Sequence, residues 1–275
     1  MGLIRSIEKF IWNSKKHIVQ KNKKIRNIHK GETCLIFGNG GSLKYYDFSA
    51  LPPFPKIGCS YTLTDKRAKK INIEYCIISD GYLLYPVRYN SYLKKFQNNL
   101  IGPILRKLIN ENQNTTFFTS LTNYFAFLKK PVNLNFFYHF GDKTSNDYYL
   151  DGTFATAGGA LQIMIGVAKS LGFSKAIILG CDYLGSPKFG GHFYSDKKPS
   201  IDEDDRLYCE EIKRISDGIE LLCIFPKGVK SKDFESASFE EYFHSPERYR
   251  ENHEFIDENY LKMMRNMVDS KQIWM

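Results

Sequence analysis

The sequence predicts one α/β domain, wound on both faces of a mostly parallel sheet of about seven strands. Three observations predict it. Short apolar runs recur along the chain without polar alternation, as strands covered on both faces do. Helical stretches lie between several of these runs. The 275 residues suffice for one large domain of this kind.

The strand-like runs are, in order, 33–37, 56–60, 75–79, 116–120, 134–139, 175–180 and 220–225. Helical patterns cover 65–71, 91–110 with an interruption at Gly102-Pro103, the strongly apolar 157–171 and the amphipathic 204–218. Residues 32–231 are therefore read as the body of the domain. Residues 1–31 precede it as a basic arm. Residues 232–275 follow as a charged helical tail, with Phe234, Phe239, Phe243, Tyr260 and Met263 available for docking.

The net charge of +9 is concentrated in the arm, which holds nine Lys/Arg and one acid, Glu8; the remainder is close to neutral. A protein that binds nucleic acid carries its basic surface on the domain, so nucleic acid is excluded as the expected partner. Within the arm, Leu3, Ile4, Ile7, Phe10 and Ile11 recur at helical spacing beside Trp12, and lysines follow. That pattern suits an amphipathic helix on an anionic membrane surface through residues 1–30, and equally a helix docked on its own domain. The stretch is too interrupted for a membrane span or a signal-peptide core. The expected location is the cytoplasm, peripheral on the inner face of the cell membrane. The six cysteines show no metal-ligand spacing and sit in or beside apolar runs, as buried thiols do.

In a doubly wound sheet, ligands bind beyond the carboxyl ends of the strands. After the first run stands Gly38-Asn39-Gly40-Gly41-Ser42, a turn in which glycine lets backbone approach an anion and free N–H groups can cradle phosphate. It lacks the third glycine of the dinucleotide fingerprint and the Gly-Lys-Ser/Thr of a P-loop. Ser60 and Tyr61 follow the second run and Asp80 the third. Thr156 and Gly158 open the apolar helix, and Asp182 and Tyr183 follow the sixth run. Beyond them His192 follows two glycines, with Tyr194, Ser195 and Asp196 close by. A histidine accepts a hydroxyl proton near neutral pH, and an aspartate partner would fix its tautomer; the other reading of His192 is a solvent-exposed loop residue. Tyr183 and Tyr194 suit hydrogen bonding to a departing phosphate or, as plainly, packing. Asp80 and Asp182 would instead hold Mg²⁺ on phosphates, although neither belongs to a D-x-D pair.

Residues 37–44, Phe-Gly-Asn-Gly-Gly-Ser-Leu-Lys, and the run Leu171-Gly172-Phe173 through Gly180-Cys181-Asp182-Tyr183 resemble two blocks of the bacterial lipooligosaccharide sialyltransferases. The resemblance spans about residues 33–228 in order and spacing. It implies a Rossmann-like domain of the variant GT-A type and a CMP-activated sugar donor used without a metal or other cofactor. It also implies a histidine base at His192, tyrosines on the leaving phosphate, and Gly38, Asn39, Gly40 and Ser42 around the CMP phosphate and ribose. Ser60 and Tyr61 stand where that family has an Asn-Gln pair. Gly41 replaces its proline, and its arginine is absent from residues 153–158. More distantly, the same blocks resemble the 6-hydroxymethylpterin diphosphokinase-like proteins and the motility accessory factors, toward which Asp80 leans.

The expectation is thus a sialyltransferase-like glycosyltransferase. It would move a nonulosonic acid from a nucleotide-sugar donor to a lipid-linked or surface glycan acceptor, with His192, Tyr183, Tyr194 and Asp182 as the catalytic group and no metal ligands. The alternatives are a Mg²⁺-dependent phospho- or diphosphotransferase and a non-catalytic, membrane-tethered glycan assembly factor. Self-association into a homo-oligomer is left open.

Overall fold

The computed structural model describes residues 2–90, 94–138, 148–152, 154–155, 159–202 and 209–269. In chain order the first elements are α1 (Gly2–Val19), β1 (Thr33–Phe37), β2 (Lys56–Cys59), α2 (Lys66–Lys70) and β3 (Tyr75–Ile78). A hairpin, β4 (Val87–Asn90) and β5 (Lys95–Asn98), leads to α3 (Ile101–Glu111), β6 (Thr116–Ser120), β7 (Leu134–Phe137), α4 (Ala160–Leu171) and β8 (Lys175–Leu179). Then come the short pair β9 (Lys188–Phe189) and β10 (Ile201–Asp202), α5 (Cys209–Ile215), β11 (Glu220–Phe225), β12 (Glu235–Ser238), α6 (Phe239–Phe243), α7 (Asn252–Phe255) and α8 (Glu258–Asp269).

Eight strands form one sheet in the order β12-β11-β8-β1-β2-β3-β6-β7, and every pairing in it is parallel. This is a Rossmann-like α/β architecture. Parallel neighbours require crossovers, and the crossovers cover both faces, so consecutive strand residues are buried on opposite sides. In β1, Leu35 and Phe37 enter one apolar cluster while Cys34 and Ile36 enter the other. Helix α4 belongs to the second cluster. The first is closed by α3 and by Phe255, Tyr260, Leu261 and Met264 of the C-terminal helices. Each such side chain contributes about 1.5–3 kcal/mol on burial. All six cysteines are buried, with no disulfide among the described residues.

Chain direction reverses at β1: the strands that follow it extend toward β7, whereas β8, β11 and β12 are laid on its other side. Such a switch point opens a crevice beyond the carboxyl ends of the two central strands, β1 and β8.

The structure departs from the sequence-based reading in three places. The helix expected from residue 91 begins only at Ile101. Residues 95–98 form a strand, and Gly102-Pro103 lies in the first helical turn, where a missing N–H costs nothing. The helix expected from residue 157 begins, within the described chain, at Ala160; Gly172, at φ +95°, ends it in the left-handed conformation. The C-terminal tail is not purely helical, because β12 pairs with β11 and forms the edge of the central sheet. Helix α1 docks on the body: Ile11 and Val19 are buried, and the Trp12 ring stacks on Tyr138 at 4.5 Å.

Candidate functional site

A cleft of about 1000 Å³ opens at the switch point. Its lining includes Gly38, Asn39 and Gly40 after β1, Cys59 at the end of β2, and Asp182 and Tyr183 after β8. The first turn of α4 and the loop from Lys188 to Ser200 complete it.

The two central strand ends are tied together by Asp182. Its carboxylate, 3% exposed, accepts the backbone N–H of Ser42 at 2.8 Å and the Ser42 hydroxyl at 2.5 Å. Gly40 N–H donates to the Gly180 carbonyl at 2.7 Å, and Gly38 N–H to that of Leu179 at 2.8 Å. The approach is so close that a Cβ on Gly40 would collide with the Asp182 carboxylate. Glycine is required here for space.

This geometry corrects the expected phosphate cradle. The N–H groups of Gly38, Gly40, Gly41 and Ser42 are all spent inside the protein, Gly41 on the Gly191 carbonyl at 3.0 Å. The Ser42 hydroxyl is spent as well. The turn is a tightly packed wall, and the four engaged N–H groups are not available to an anion in the cleft.

His192 is half-buried beside the turn, bridged to Gly40, and its ring stacks on Tyr194 at 5.0 Å. Among the described residues no aspartate holds it. Asp182 serves Ser42, and Asp196 accepts two bonds from Arg265 and one from Asn252, all at 3.0 Å. The partner of His192 Nδ1 is instead the Asn39 carbonyl at 3.3 Å, which also accepts the Phe193 N–H at 3.1 Å. A carbonyl cannot donate, so Nδ1 carries the proton and Nε2 the lone pair in the neutral ring. Burial holds the imidazole pKa below its ordinary value, which keeps it neutral at physiological pH. The reading of His192 as a freely exposed loop residue does not describe this arrangement.

Tyr183 and Tyr194 both line the cleft. Burial raises the pKa of each phenol well above its ordinary value, so both remain protonated and able to donate. The Tyr194 ring meets Tyr61 edge-on at 5.2 Å. Lys188, Lys197 and Lys198 supply positive charge to the lining.

The loop that carries His192 is held from several directions. The buried Lys44 ammonium donates to the carbonyls of Ser195 at 2.7 Å and Lys197 at 3.2 Å. Asn252 donates to the Tyr194 carbonyl at 3.1 Å, and Arg265 reaches Asp196 from α8.

Among the residues singled out in the sequence, Gly38, Asn39, Gly40, Asp182, Tyr183, His192 and Tyr194 meet at the cleft. Gly41 and Ser42 lie buried behind it. Ser60 and Tyr61 are not part of its lining. Tyr61 is buried in the core with its hydroxyl 4.0 Å from the Met267 sulfur, and Cys59 occupies the cleft edge at this strand. Asp80 stands on an exposed bend after β3, also outside the lining. Thr156 and Gly158 lie outside the described residues. No group of three potential metal ligands occurs among the described residues. Sequence reasoning missed Gln162, Lys197, Lys198 and Arg265. Of these, Gln162 left a signal, a lone amide inside an apolar helical run.

No protein-family model matches the chain, and no curated protein matches it by sequence. Solved structures of similar fold include the MAf glycosyltransferase from Magnetospirillum magneticum AMB-1, at 12% identity and a TM-score of 0.46. That alignment covers 93% of this chain but only 41% of the other, so this chain spans less than half its length. The sialyltransferase CstII from Campylobacter jejuni, in complex with cytidine-5'-monophosphate, aligns at 14% identity over 87% of this chain and 98% of that one, with a TM-score of 0.46. The same sialyltransferase with a trisaccharide acceptor and CMP aligns at 16% identity over 86% and 99%, with a TM-score of 0.44.

The Asp182 environment makes stability depend on pH. Burial raises its pKa from an ordinary 3.8 to about 7, against the lowering by Ser42. The folded protein therefore holds this proton more tightly than the unfolded chain. The stabilisation is complete below about pH 4 and is lost as pH rises toward 7. Asp182→Asn has no such proton, so the melting temperature of wild type minus that of D182N is expected to fall from pH 4 to pH 7 and level off above. A difference that rises across this window contradicts the assignment.

Proposed function

We propose that the chain is a glycosyltransferase that moves a sugar, a CMP-activated nonulosonic acid or a close relative, onto the hydroxyl of a glycan acceptor. The observation that carries this reading is the His192 contact with Asn39: a neutral, oriented imidazole with a free Nε2, facing a cleft with protonated phenols and lysines.

In this reading the acceptor hydroxyl attacks the anomeric carbon, and its proton passes to His192 Nε2. The bond from that carbon to the donor phosphate breaks, and its electron pair leaves on the phosphate oxygen, with inversion at carbon. Tyr183 and Tyr194 hydrogen-bond the departing CMP, and the lysines offset its charge. These side chains do for the leaving group what a metal does in other transferases. The Mg²⁺-dependent alternative draws less support. Asp182 is engaged by Ser42 and buried, while Asp80 lies outside the cleft lining.

The same reading puts the acceptor at an anionic membrane surface. No described helix is long and apolar enough to cross a membrane. However, α1 leaves Phe10 67% exposed, and the segment from Phe125 to Val132 exposes Phe125, Leu128 and Val132 around Lys129 and Lys130. Lys15 of α1 lies 5.6 Å from the Phe125 ring, joining the two parts. Apolar side chains ringed by lysines suit the interface of an anionic bilayer at the cytoplasmic face.

His192→Ala is expected to lower kcat for sugar transfer by about 10²–10⁴-fold. It is also expected to abolish an acid limb whose inflection lies below the ordinary histidine value of 6.5, because burial lowers this pKa. Turnover should persist in EDTA. Normal turnover in H192A, or a strict need for Mg²⁺, overturns the mechanism. For the membrane face, wild type should sediment with phosphatidylglycerol vesicles and not with phosphatidylcholine vesicles, and L128D/V132D should stay in solution. Equal sedimentation of the two proteins overturns it.

A further inference from the structure

Between Ala160 and Val167, the half of α4 nearer the cleft, Gln162 is the one polar side chain. It is 1% exposed and forms part of the cleft wall. Neither its Nε2 nor its Oε1 has a hydrogen-bond partner among the described residues. Buried amides are almost always satisfied, so a fully orphaned one points to a partner supplied from outside the chain. Gly159 supports this. At φ −159° its backbone is open to any residue, yet a Cβ there would lie 2.8 Å from Gln162 Oε1. Glycine at this position leaves the acceptor reachable. In the lining of the same cleft, the Asn39 side-chain oxygen is also buried without a partner among the described residues.

We propose that Gln162 is a specificity-determining residue whose amide reads a neutral ligand group carrying a hydrogen-bond donor beside an acceptor. The inference rests on the reading of the cleft as a CMP-sugar site. A phosphate or carboxylate does not match, because it offers nothing to donate to Oε1. Two parts of a CMP-activated nonulosonic acid do match. One is the cytosine edge, with its amine beside a ring nitrogen, the kind of edge that amide side chains pair with bidentately. The other is the acylamino arm of the sugar, with its N–H beside a carbonyl.

Gln162→Met keeps the side-chain length and removes both polar ends. A ligand-reading amide is a cost to the empty protein, so Q162M is expected to melt at the same temperature as wild type or higher. Titration calorimetry then separates the two groups. Affinity for CMP that falls about tenfold to a hundredfold assigns the cytosine edge. A similar fall for CMP-N-acetylneuraminic acid, with CMP affinity unchanged, assigns the acylamino arm. A lower melting temperature in Q162M, or unchanged affinity for both ligands, overturns the inference alone. A wild-type protein that binds neither ligand overturns the proposed function on which it rests.

Discussion

The carboxylate of Asp182 takes both hydrogen-bond donors of Ser42, and the site is arranged around that contact. It joins the turn after β1 to the turn after β8 across the point where the sheet changes direction. Two strand ends that would diverge around an open crevice are instead locked side by side. The cost is a carboxylate removed from water, offset by two short bonds and reflected in its raised pKa. Gly40 is the steric counterpart of the same contact.

The lock determines what the glycine turn offers. Four of its N–H groups are satisfied internally, and the Asn39 carbonyl ties the turn to the loop that carries His192. That carbonyl orients both His192 and Phe193. In the proposed mechanism the catalytic role thus falls to the loop beside the turn. This loop is held by Lys44 and, from the C-terminal helices, by Asn252 and Arg265. A buried lysine bonded to two carbonyls is a costly way to hold a loop, and it makes sense where the geometry of one imidazole matters.

Much of this was legible in the sequence. Seven strands of the central sheet read directly, because strands buried on both faces leave unbroken apolar runs. The meeting of Gly38, Asp182 and His192 followed from the rule that such ends converge. What escaped lacks that signature. Strand β12 reads Glu-Ser-Ala-Ser and is an edge strand with no apolar run to betray it. The hairpin strand β5 reads Lys-Phe-Gln-Asn and is partly exposed, so nothing in its burial distinguishes it from a helix surface. Arg265 reaches Asp196 across 69 positions, a pairing that only the packed fold can select. Tyr61 sits at the right strand end yet turns its hydroxyl toward Met267, because the C-terminal helix offers that ring a place in the core. Sequence position gave the strand end, and packing chose the direction of the side chain.

The proposed nucleotide site depends on the Asp182 contact with Ser42, which fixes the two turns side by side. Calorimetric titration of Gly40→Ala with CMP tests it most directly, since one methyl group is driven against the Asp182 carboxylate and the Gly180 carbonyl. G40A is expected to unfold cooperatively and to have lost its affinity for CMP. A G40A protein that binds CMP as tightly as wild type would contradict it.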